Sequence, residues 1–150
     1  MRGLVAAGIV AAALLTSAAS AAVTKPFTSS RTATCLAAHR VIANSAPVKT
    51  SVPPGIPAVA ALDFTFALIP AQAVDHGSIV FERDPSAARR AAAAWLSYSL
   101  AQAARVQGID QARARAILKA AFTVRGNAVV LWDNAHVKPA SRRRIAGCLR

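Results

Sequence analysis

Phe122-Thr-Val-Arg-Gly-Asn-Ala-Val-Val-Leu-Trp-Asp133 is the densest run of strand-forming residues in the chain, and it is broken once, at Gly126-Asn127. Phe122 and Val124 share one face before the break. After it, Val129 and Leu131 alternate with Ala128, Val130 and Trp132. A strand that is apolar on both faces is normally a covered, central one, so the rest of the fold is expected to supply neighbours and cover on both sides. The Gly-Asn pair allows either a bulge in one long strand or a tight hairpin turn. The short arms, with Arg125 directly before the glycine, favour the bulge.

Working outward, Leu62 to Ile69 alternates strictly: Leu62, Phe64, Phe66 and Leu68 on one face, Asp63, Thr65 and Ala67 on the other. That is a strand with one wet face. Pro70 ends it and a loop runs to Gly77. Ser78 to Glu82 reads as its antiparallel neighbour, with Ile79 and Phe81 inward. Asp84-Pro85 opens a helix, with Asp at the N-cap and Pro in the first turn. It is expected to run to about Gln107, with Ala88, Ala92, Trp95, Leu96, Ser99, Ala103 and Val106 on its core stripe, and to stop at Gly108. Asp110 caps a shorter helix to Ala121, expected to bury Ala114, Ile117, Leu118 and Ala121. A basic helix from Pro139 to Leu149 closes the chain. Near the start, Thr34 is expected to cap a short helix over Cys35 to Ile42, although Val41-Ile42 could equally begin a strand. Ser45 to Pro57, with Pro47, Pro53, Pro54 and Pro57, reads as an extended connection. The resulting fold class is α+β, a small antiparallel sheet of three to four strands packed against helices, with a ferredoxin-like split β-α-β as a candidate arrangement.

The first residues read as a secretory signal. Arg2 is followed by an uncharged apolar run from Leu4 to Leu15 and by the small-x-small site Ala19-Ser20-Ala21. The apolar run is too short to span a bilayer, and no later segment is long and apolar enough either. The expected organisation is a signal peptide over 1–21, a flexible lead-in over 22–31, and a single domain over 32–150. The protein is therefore expected to be secreted or extracytoplasmic. In such a setting two distant cysteines, Cys35 and Cys148, normally pair, with separate free thiols or an intermolecular bridge as the alternatives.

Charge is lopsided: 18 Lys and Arg against 6 Asp and Glu, a formal net of +12. The basic groups cluster as Arg89-Arg90, Arg113 and Arg115, and Arg142-Arg143-Arg144. These are the candidate anion-binding residues, toward an anionic cell-envelope polymer or an acidic partner protein. Nucleic acid is disfavoured, because the few aromatics fall on core faces instead of interleaving with the arginines. A merely solvated basic face is the competing reading.

Enzyme signatures are sparse. There is no Gly-x-Ser-x-Gly elbow and no phosphate-cradling Gly-rich loop, and Glu82 is the single glutamate. His39, His76 and His136 lie in no His-x-x-x-His spacing. Asp133 and His136, three apart after the central strand, form the best candidate acid–base or metal pair, with Asp75-His76 as the one conceivable further contributor. Ordering of a turn is the commoner role for such a pair. No cofactor, metal or catalytic set is assigned. Trp95 and Trp132 read as core.

Val124-Arg125-Gly126-Asn127, the apolar strand up to Trp132, the closing Gly147-Cys148-Leu149-Arg150 and the paired Cys-Leu steps at Cys35-Leu36 and Cys148-Leu149 resemble small exported proteins of high-GC Gram-positive bacteria. That resemblance implies an exported, single-disulfide domain and no particular site. The expected function is a non-enzymatic exported domain. An enzyme or metal site on Asp133 and His136, and a structural accessory domain, are the alternatives.

Overall fold

The computed structural model describes residues 25–48, 57–66, 75–105, 108–134 and 136–150. Its elements are α1 (Ser29–Ala38), β1 (Val41–Ala46), β2 (Ala60–Phe66), β3 (His76–Phe81), α2 (Pro85–Ala103), α3 (Gln111–Ala121), β4 (Phe122–Arg125), β5 (Ala128–Trp132) and α4 (Pro139–Cys148). The class is α+β, with five strands among the described residues in place of the three to four expected. They form one antiparallel sheet in the order β1-β2-β3-β5-β4. The additional strand is β1, whose Val41-Ile42 start was legible but whose remainder, Ala43-Asn-Ser-Ala46, lacks an apolar alternation. Its pairing with β2 makes it a strand.

Gly126-Asn127 is a hairpin turn, not a bulge: Arg125 pairs with Ala128 across it. Gly126 takes φ 52° and Asn127 stays at negative φ, which suits a type II′ turn with glycine first. A Cβ on Gly126 would also run into the Phe27 ring. Asn127 is buried and fully used. Its Oδ1 accepts from Phe27 N (2.7 Å), and its Nδ2 donates to Phe27 O (3.1 Å) and Glu82 O (2.8 Å). These bonds fasten the region read as a flexible lead-in, and α1 starts inside it at Ser29. Thr28, not Thr34, caps that helix, accepting from Arg31 N; Thr34 lies within it and donates to Ser30 O.

Because β5 sits between β3 and β4 and is antiparallel to both, β3 and β4 run parallel. They are joined through α2 and α3 as one split β-α-β unit. Helices cover both faces of the sheet, which separates this arrangement from a ferredoxin-like one with its helices on a single face.

Two cores follow. On the first face Leu62, Phe64, Phe66, Ile79, Phe81, Val130 and Trp132 meet Leu36 of α1 and Ile145, Cys148 and Leu149 around α4. Phe64 makes edge contacts with Trp132 (5.0 Å between ring centres) and Phe66 (6.1 Å). On the second face Ala61, Val80 and Val129 meet Ala88, Ala91 and Trp95 of α2. The register read for β2 holds: Leu62, Phe64 and Phe66 are buried, while Asp63 and Thr65 are exposed. The continuation over 67–69 lies outside the described residues, as do Val106 and Gln107 at the expected end of α2. Gly108, at φ 82°, has the left-handed backbone that suits a helix stop. For α3 the burial reading is corrected. Ala121 is buried, Ala114 and Leu118 are half-buried, and Ile117 is exposed, because α3 leans on α2 and edge strand β4 instead of the sheet's centre.

Candidate functional site

All six acidic residues lie among the described residues, and five are engaged internally. Asp84 caps α2 through Ala87 N (2.7 Å), and Asp110 caps α3 through Ala112 N and Arg113 N. Asp63 accepts from Ser78 Oγ at 2.6 Å. Asp133 pairs with His76 Nε2 at 2.6 Å. Asp75, almost fully buried, accepts from Ser141 Oγ (2.6 Å) and Lys138 N (3.3 Å). It thereby serves the start of α4, where Lys138 has no capping side chain of its own. The sixth, Glu82, is 3% exposed, and its Oε1 has no hydrogen-bond partner. Burial raises its pKa, the charge of Asp84 raises it further, and Arg83 and Arg90 oppose the shift. Among the described residues the one Arg–carboxylate pair is Arg83–Asp84 at 3.2 Å. Among the described residues, nearly all of the Lys and Arg side chains therefore lack an acidic partner within the fold.

The sheet separates the arginines picked from the sequence. Arg89 and Arg90 lie on α2 and Arg113 and Arg115 on α3, over the second face. Arg142, Arg143 and Arg144 lie on α4, over the first. Arg142 is structurally occupied. It stacks over Trp132 at 5.4 Å, donates to Ala120 O (2.8 Å) and reaches Thr123 Oγ1 (3.5 Å). Arg143 and Arg144 are exposed and line a 440 Å³ cavity with His39, Ala140, Gly147 and Arg150. Gly147 and Arg150 also line a second cavity of 660 Å³, which reaches Lys25, Arg31, Cys35, Arg125 and Cys148. The two make one basic groove around the C-terminal end of α4. Its cations are Lys25, Arg31, Arg125, Arg143, Arg144 and Arg150, and no acid lines it. Arg125 is held in place by its bond to Leu149 O at 2.8 Å. Reading the sequence by clusters missed Arg31, Arg125 and Arg150, which are isolated in the chain and meet only through folding.

Cys35 and Cys148 form the disulfide, with Cα atoms 5.5 Å apart. It joins α1 to α4 across a separation of 113 residues, in the floor of the groove.

The Asp133/His136 pairing is corrected. Asp133 reaches back across the sheet to His76, and His136 is exposed. His76 begins β3, and Asp133 follows β5 beside it, bonding His76 O through its backbone N (3.2 Å). The antiparallel pairing of β3 with β5 brings them together, which sequence distance conceals. Both side chains are about half exposed. Among the described residues no third metal-ligating side chain joins them.

Glu82 lines a separate 340 Å³ cavity with Val59, Arg83, Arg90 and three alanines of α2. Trp95 and Trp132 are both core. No helix among the described residues is long and apolar enough to cross a membrane. No protein-family model, curated protein or solved structure matches the chain.

Proposed function

We propose that the protein is an exported, non-enzymatic binding domain whose basic groove beside the disulfide takes an anionic cell-envelope polymer, one bearing repeated phosphate or carboxylate groups. The observation that carries this reading is the groove itself: six Lys and Arg side chains, contributed by Lys25 ahead of α1, Arg31 within it, Arg125 at the end of β4, and Arg143, Arg144 and Arg150 in and just after α4, with no acid among its lining residues. Guanidinium forks match the geometry of phosphate and carboxylate, and a linear polyanion can engage several at once. Acidic side chains spent on caps and sheet bonds leave this field uncancelled. Screening beyond about 10 Å at 0.1 M salt makes such binding salt-sensitive.

The test is retention on a polyphosphate matrix across a salt series. Three proteins are compared: the wild type, Arg143/Arg144/Arg150→Gln, and Arg89/Arg90/Arg113/Arg115→Gln. The triple groove variant is expected to elute at clearly lower salt than the quadruple variant, although it loses less charge. Equal or reversed order would show that net charge alone governs retention, and the groove reading would fall.

A further inference from the structure

We propose that opening the Cys35–Cys148 disulfide converts it into a zinc site, with the two thiolates and the His39 imidazole as protein ligands. The geometry is already assembled. Cys35 and His39 are four residues apart at the end of α1, so their side chains leave the same side of the helix. The His39 backbone N–H closes that turn onto Leu36 O (3.0 Å) and Cys35 O (3.3 Å), which fixes where the imidazole starts. Cys148 arrives from α4. The two sulfurs and a ring nitrogen of His39 all lie within 4.8 Å of one another, the one such trio of metal-ligating side chains among the described residues.

In the oxidised chain the sulfurs are bonded to each other and are not thiolates, so no zinc site exists. A dithiol reductant changes this. Its two thiols become a disulfide, and two electrons and two protons pass to the protein, giving Cys35–SH and Cys148–SH. Zinc then displaces the two thiol protons to solvent. Two thiolates and a neutral imidazole bind it with no net charge, and the fourth tetrahedral position is open to water from the adjoining cavity, which His39 lines. Zinc–sulfur bonds of about 2.3 Å require the sulfurs to stand about 3.8 Å apart, a small separation once the covalent bond is gone. Lys25, Arg31 and Arg150 line the cavity that holds the two cysteines; they favour thiolate over thiol, and the neutral complex is not repelled by them.

The fold is built to keep the ligands together without the covalent bond. Leu36, one residue from Cys35, is fully buried in the first core, and Ile145 and Leu149 bracket Cys148 in the same cluster. Asp75 pins the other end of α4 through Ser141. The same three side chains therefore serve as a staple when oxidised and as a metal clip when reduced.

The experiment reduces the full chain anaerobically with a phosphine, removes the reductant, and adds zinc in competition with a chromophoric chelator. Bound metal is counted after desalting, and cobalt substitution reports tetrahedral thiolate ligation. One metal is expected per reduced chain and none per oxidised chain, with circular dichroism showing a folded reduced state. His39→Ala is expected to weaken zinc binding by at least about 10-fold, the lower end of what loss of a mere outer-sphere partner costs. A folded reduced chain that takes no zinc overturns the proposal, and so does His39→Ala binding as tightly as wild type. A reduced chain that unfolds and does not refold with zinc also overturns it, because the site depends on the fold holding its ligands.

Discussion

Beneath α1 and α4 the sheet presents Phe64, Phe66, Phe81 and Trp132; beneath α2 it presents Ala61, Val80 and Val129. The first layer is short helices sewn down by large side chains, a disulfide and a tertiary cap from Asp75. The second is a long alanine-rich helix whose contact residues are small, Ala88 and Ala91, with Trp95 as its one large anchor, stacked 6.4 Å from Phe122. Apolar burial scales with area, at roughly 25 cal/mol per Å². The aromatic face thus supplies most of the stabilisation, and the alanine face supplies helix propensity and close fit. The basic groove lies on the cross-linked layer, where Arg125 is held by its bond to Leu149 O.

The comparison is most exposed to a core truncation. Phe64→Ala should cost about 3–5 kcal/mol in urea denaturation, as for a buried aromatic, whereas Thr65→Ala on the wet face should cost under about 1 kcal/mol. Similar costs would mean that the two faces are not unequal in the way described.

Next in size is the staple. Cys35→Ser/Cys148→Ser should lose about 2–4 kcal/mol, since the bond closes a loop of nearly the whole domain and acts mainly on the unfolded chain. The far-ultraviolet spectrum should be retained. Loss of the spectrum would show that the first layer depends on the bond for its shape.

Asp75→Ala should cost about 1–3 kcal/mol, because it leaves the buried Ser141 hydroxyl and the Lys138 N–H unpaired. Hydrogen exchange should quicken in α4 first. A uniform change across the sheet would contradict a local capping role.

Glu82 belongs to the second layer and gives a pH test. Its folded pKa is raised above the ordinary 4.5, chiefly by burial. The native state therefore holds the proton more tightly, and the group's contribution is fully present below pH 4.5 and is lost as pH rises through the folded pKa. Asp84 runs the other way. The Ala87 N–H holds its pKa below 3.8, so its contribution is present above that value and is lost on acidification. Glu82→Gln should be more stable than wild type at pH 7, with the difference vanishing below pH 4.5. A pH-independent difference would show that the substitution acts through packing.

The smallest effect is expected at Ile117, exposed on α3, where Ile117→Ala should stay within about 0.5 kcal/mol. A larger loss would mean that α3 is held more firmly than its burial indicates.

Local physics alone was enough for several features. Strict alternation from Leu62 to Phe66 decides which side chains face inward, and a one-residue slip would expose every phenylalanine. Asp84-Pro85 and Asp110 start their helices because each carboxylate bonds N–H groups two or three residues ahead. Two cysteines far apart in a chain read as exported could be paired by counting. Other features depend on partners distant in sequence. Gly126-Asn127 is a hairpin because Asn127 has Phe27 and Glu82 to bind, some 100 and 45 residues away. β1 is a strand because β2 offers an edge. Asp133 meets His76, not the nearer His136, because β3 and β5 are neighbours. The arginine clusters so visible in the chain are divided by the sheet, and the groove is assembled instead from Arg31, Arg125 and Arg150 with Arg143 and Arg144. Short-range hydrogen bonds and side-chain period are written into consecutive residues. Which surfaces share a cavity is decided only when layers pack, because that packing brings together groups that the chain keeps far apart.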